Sequence, residues 1–449
     1  MDRRTFLALA ATPAAISAMY ALQSCSSAGH LISDSSTPGT VPQSNAGAGA
    51  ARSDKPRSST TLADAAAATA SVNDFAVALY KHISAITAGN SANLVFSGAS
   101  VVMAVAMARA GARGTTATEI DAVLHITDAA AFAHSANALS GALDSRTRRI
   151  ERPQNDPVDI TLNIANSLWG QTGLDFETAF LDVLASEYGA GLQLVDYKAD
   201  PERARQVINA WVDDRTKQRI PELIAQGDIG TDTRLTLVNA IYMKAPWLNT
   251  FAKEATNAAR FSTQAGVSVQ APTMRLAHEL NYAKGAGWQA VELPYIGEEL
   301  SMLIVLPDVG TDLAIGVDAM PTLRTASTLH QVNLSLPKFD IETSTDLSAV
   351  LGAMGMPTAF SDVADFSGMT TAEKLTISGV IHQANITVDE EGTEAAAATA
   401  VVMRTTSAPE PLELVDLIVD RPFVFAIRDN PTGALLFIGH IGNPTATRA

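Results

Sequence analysis

The stretch that decides how this chain reads is Val380–Ala400, "VIHQANITVDEEGTEAAAATA". Its first half is apolar and β-branched, the material of a strand. Its second half, "EEGTEAAAATA" at 390–400, runs two acids and a glycine into alanines and threonines with no large apolar side chain. Alanine is the best helix former, so local propensity predicts a helix there. Yet β-rich sequence stands on both sides, with "RPFVFAI" at 421–427 following.

Working outward, "NDFAVALYKHISAI" at 73–86 places Phe75, Leu79, Ile83 and Ile86 on one helical face. "SVVMAVAMARAGARGTT" at 100–116 reads as a buried helix closing at Gly111 or Gly114. "RARQVINAWVDDRTKQRI" at 203–220 is amphipathic, with Val207, Ile208, Trp211 and Val212 inward. "RLTLVNAIYM", "LSMLIVLP", "VNLSLPKFDI", "KLTISGVI" and "RPFVFAI" read as strands, and "RDNPTG" at 428–433 as the hairpin turn into "ALLFIGHI". Helices cluster early and strands late, which predicts an α+β fold with large sheets.

The chain has 449 residues, 47% of them hydrophobic, ample for a large core. Its formal net charge of −16 argues against non-specific binding to nucleic acid or anionic lipid. One cysteine rules out an internal disulfide and a multi-cysteine metal site. There is no G-x-S-x-G, H-E-x-x-H, phosphate loop or C-x-x-C, so nothing here points to an enzyme. Asp389, Glu390 and Glu391 are adjacent, and on a strand or loop they point different ways, unlike an acid/base pair.

Residues 1–25 read as an export signal: Arg3–Arg4, an apolar run of 17 residues from Phe6 to Leu22, then Cys25. That run is short for a spanning helix, which needs about 20 residues. "RRTFL" resembles a twin-arginine signal, and "LQSC" resembles a bacterial lipobox with Cys25 as the lipidated residue, although Gln23 fits it poorly. The expectation is an exported protein, extracellular or lipid-anchored at the outer face of the bacterial cell membrane. Residues 26–69, rich in Ser, Gly, Pro and Ala, read as a flexible tether. About 40 such residues span roughly 35 Å on average. Residues 70–449 then form one unit.

Seven stretches in order give this unit a family resemblance: "NLVFSGASVVMAVAMARAGARGTTATEI" (93–120), "LNIANSLWGQTGLDFETAFLDVLASEYGA" (162–190), "INAWVDDRTKQRIPELI" (208–224), "TRLTLVNAIYMKAPWLNTF" (233–251), "ADFSGMT" (364–370), the opening stretch, and "RPFVFAIRDNPTGALLFIGHIGNP" (421–444). Together they resemble the serpin family. The resemblance implies helices packed on three β-sheets with an exposed reactive-centre loop. It implies no cofactor and no catalytic residue.

The resemblance makes Glu390, Glu391, Gly392, Thr393, Glu394, Ala395, Ala396, Ala397, Ala398 and Thr399 the hinge of that loop. An inserting hinge must become a strand. Alternation then sets Thr393, Ala395, Ala397 and Thr399, all small and uncharged, on one face. Glu394 falls on the other, where it can meet water, and Gly392 is a pivot. Ser97, Ser100, Asn239 and His382 match a polar cluster under the sheet, the shutter, and Trp247 matches the tryptophan at the breach, where the hinge enters. Gly98 stands where the family usually has proline, and Asp389 where it has asparagine.

The spacing implied, counted from Glu390, puts the reactive bond at Thr406–Ser407, with Arg404 and then Met403 as the alternative reactive residues. The implied function is inhibition of serine-type endopeptidases by loop cleavage, covalent trapping and insertion, and a cysteine protease is also compatible as partner. A monomer is expected, touching a membrane only through the lipid anchor. The alternative is a non-inhibitory serpin serving as carrier or binding protein.

Overall fold

The computed structural model describes residues 49–86, 93–152, 155–394 and 412–446. The chain is α+β. One sheet holds β1 (Gly49–Ala51), β2 (Asn155–Gln171), β3 (Leu192–Val195), β4 (Leu235–Pro246), β5 (Phe339–Asp346), β6 (Gly379–Val388) and β7 (Gly392–Thr393), in the order β1–β3–β2–β4–β7–β6–β5. A further strand, Arg148–Arg152, pairs with the start of β2.

Both faces of this sheet are covered. Helix α1 (Ala66–Ile86) packs on α2 (Gly98–Arg109), and α2, buried from Gly98 to Ala108, lies against β2 and β4. Ser97 caps α2 by accepting from the Ser100 N–H. Further along come α3 (Ala129–Asp144), α4 (Thr178–Tyr188) and α5 (Pro201–Arg215). Val207, Ile208 and Val212 of α5 join Trp169, Val238, Ala240 and Ile381 in a second cluster on the opposite face. Double-sided burial explains why "LTLVNAIYM" is continuously apolar instead of alternating.

The second sheet has nine strands among the described residues. Where three sheets are expected, the hydrogen bonds here form two main networks. The strand Ser268–Gly285 is the reason: at 18 residues it pairs successively with Asn257–Ser262, Thr328–Pro337 and Trp288–Pro294, fusing what would be two sheets into one.

The expected tether over 26–69 is corrected for residues 49–69; residues 26–48 lie outside the described residues. β1 pairs antiparallel with β3, Gly49 against Leu194 and Ala51 against Leu192. Lys55 then forms an ion pair with Asp182 at 2.8 Å, and Arg57 Nε donates to Asn137 Oδ1 at 2.6 Å. Ser58 donates its N–H to Ser186 O and its hydroxyl to Glu187. An edge strand needs only backbone groups, and the cationic stems find acids and amides on α3 and α4. A composition with little to bury therefore does not exclude order.

Candidate functional site: the breach, the hinge and the shutter

The chain leaves β6 at Val388, reverses, and re-enters the sheet as β7 between β6 and β4. Val388 pairs with Thr393, Gly392 with Pro246 and Thr393 with Ala245. Asp389 builds the turn: its Oδ1 accepts from the N–H groups of Glu391 (2.8 Å) and Gly392 (3.3 Å). A carboxylate at this position does the same work as an asparagine amide oxygen. Gly392 has φ +154, and a Cβ there would lie 2.3 Å from Ala245 O, so no side chain fits.

Trp247 grips the turn. Its indole N–H donates to Asp389 O at 2.9 Å and its backbone N–H to Glu391 O at 2.9 Å. The ring, 1% exposed, stacks on Tyr295 with centroids 4.5 Å apart. Tyr295 in turn meets Thr393 hydroxyl to hydroxyl at 2.7 Å, and burial raises the pKa of its phenol.

Each hinge acid has a cation. Glu390 pairs with Lys338 at 2.7 Å and accepts from Thr256 at 2.8 Å. Burial alone would raise its pKa, but these partners hold the carboxyl below its ordinary value. Glu391 pairs with Lys253, and Glu394 with Arg219. Before any insertion the Glu394 side chain is only 7% exposed, with Arg219 of the segment after α5 paired to it.

The four shutter positions come together. The Ser97 N–H donates to His382 Nε2 at 3.1 Å, and His382 Nδ1 contacts Asn239 Oδ1, an arrangement suited to a neutral ring with its proton on Nδ1. Burial pushes the His382 pKa down to about 4, the Asn239 contact acting against it. Ser100 Oγ donates to Asn166 Oδ1 at 2.7 Å. Gly98 is explained by packing: a Cβ there would meet the Ala76 Cβ of α1 at 2.6 Å.

Sequence reading missed Asn166, Tyr295, Lys338, Thr256, Lys253 and Arg219. Asn166, a polar residue inside the apolar "LNIANSLWG", carried a usable signal; the others stand in ordinary loop or strand contexts. Cys25, Ala395–Thr399, Met403, Arg404, Thr406 and Ser407 lie outside the described residues.

A sheet covered on both faces thus takes Gly392 and Thr393 between β6 and β4 beside a buried tryptophan. The model of the family described as "Serpin (serine protease inhibitor)" matches residues 70–444, and the chain belongs to this family. Human Serpin B4 is 36% identical over 78% of this chain and 94% of its own length. The bovine leukocyte elastase inhibitor is 36% identical over 78% and 93%. Among solved structures, Serpin48 of the insect Tenebrio molitor is 31% identical with a TM-score of 0.69, covering 84% of this chain and 97% of that one.

Proposed function

We propose that the protein inhibits serine-type endopeptidases and is not itself an enzyme. The protease serine attacks the carbonyl of Thr406, the Ser407 amine leaves, and an ester joins the loop to the protease. The freed hinge then enters the sheet as a full strand and carries the protease with it, distorting its active site before water can cleave the ester. Strain held in the native fold drives the step.

The observation that carries this reading is Thr393 already seated between Ala245 and Val388, small, uncharged and 1% exposed. Relatives named as an elastase inhibitor support the protease as partner. Thr406 is small and β-branched, which suits a protease with a shallow primary pocket. We further propose export through the signal at residues 1–25, with Cys25 as lipid anchor. The test is incubation with an elastase- or subtilisin-like protease, followed by denaturing electrophoresis and mass spectrometry. A covalent complex that releases a fragment beginning at Ser407 is expected. A fragment beginning at Thr405 moves the reactive residue to Arg404. Cleavage with no complex favours the non-inhibitory carrier.

A further inference from the structure

The hinge enters the sheet by two residues and stops, and the stop is built from side chains. Lower in the sheet, β4 and β6 are zipped together from Thr236–Gly379 to Ile241–Ala384. Among the described residues no rung joins Tyr242–Lys244 to Asn385–Thr387. Continuing the register of Gly392 with Pro246 and Thr393 with Ala245 would set Glu394 against Lys244, inside this unjoined slot. Two more residues could follow before any β4–β6 rung had to break.

Glu394 does not take that path. Its φ is +51, a left-handed backbone that cannot continue a strand and that L side chains disfavour. Its carboxylate is paired with Arg219. Tyr242, on β4, lies beside it: burial first, and then the Glu394 charge, push the phenol up to about 12. Arg219 is itself held. Lys217 and Gln218, both at positive φ, turn the chain after α5, and the Arg219 N–H donates to Thr216 O at 3.1 Å. Asn385 of β6 donates to Arg219 O at 3.4 Å. The Arg219 backbone is thus fixed to α5 and to one wall of the slot, and its guanidinium reaches Glu394 from there.

We propose that Arg219 is a positioning residue and that its pair with Glu394 is a stop. It holds Glu394 left-handed and keeps the uncut loop from advancing into the slot beneath it. This rests on reading the hinge as an inserting segment. Advance requires the pair to break and Glu394 to swing to an extended backbone in the same event, so the pair sets how long the intact protein stays loop-out.

The test is a double-mutant cycle with Arg219→Ala, Glu394→Ala, the double variant, and the exchanged pair Arg219→Glu with Glu394→Arg. Two quantities are read. One is amide exchange over 385–394. The other is the rate at which warmed, uncut protein turns into a heat-resistant inactive monomer. Each single variant should exchange faster over the hinge and convert about tenfold faster. The double variant should be no faster than either single, and the exchanged pair should recover most of the delay. Singles that behave as wild type, or a double variant whose effect is the product of the two, would overturn the stop. Amide exchange needs no protease, so a failure to trap proteases and a failure of the stop are separately visible.

Discussion

Replacing Thr393 with arginine should turn the inhibitor into a substrate. Thr393 is 1% exposed and its hydroxyl lies 2.7 Å from that of Tyr295. The three acids around it are engaged by Lys338, Lys253 and Arg219. A guanidinium at 393 would therefore be buried with no free carboxylate to meet it, and would add positive charge to a site that already holds three cations. A buried charge without its partner costs about 3–5 kcal/mol. If insertion bears about 3 kcal/mol of this, it slows on the order of 100-fold, since each 1.36 kcal/mol is tenfold. Hydrolysis of the acyl-enzyme would then outrun trapping. The assay titrates protease against inhibitor and scores complex and cleaved inhibitor on denaturing gels. Cleavage should persist while the complex nearly disappears. Thr393→Ser, which keeps the hydroxyl, should trap as wild type does. Complex formation by the arginine variant at wild-type stoichiometry would refute insertion of this side chain.

Loop-cleaved protein should unfold at a markedly higher temperature than intact protein, because a full central strand replaces the unjoined slot; equal midpoints by calorimetry would favour a non-inserting protein. His382 is held neutral, its pKa lowered from 6.5 to about 4. Between those values the unfolded chain takes up a proton that the folded one refuses. Stability should therefore fall as pH drops through that window, by up to about 3 kcal/mol. Urea midpoints should show this, and His382→Asn should flatten the profile. Deleting residues 45–58 removes β1 and the Lys55, Arg57 and Ser58 contacts. It should lower the urea midpoint and speed amide exchange in β3 and α4, whereas a true tether would leave both unchanged.

The small, uncharged Thr393 seated in the sheet was legible in the sequence because the requirement on it is compositional. A strand that must enter a core can carry only small uncharged groups on one face, and "GTEAAAATA" shows that pattern whatever surrounds it. Ser97, Ser100, Asn239 and His382 were equally legible, being polar residues in stretches otherwise built for burial. The cations were not. Arg219 lies far from Glu394 in sequence, and Lys338 far from Glu390; nothing local separates them from solvated surface charges. β1 was hidden for the opposite reason. An edge strand draws on backbone hydrogen bonds that every residue can make, so "GAA" at 49–51 has no side-chain signature. How far the hinge enters the sheet was also beyond the sequence. Propensity over the alanines favours helix, and the alternation allows a full strand. The two-residue entry follows from where Asp389 turns the chain, where Trp247 grips it and where Arg219 holds Glu394, three constraints that exist only once distant segments are packed together.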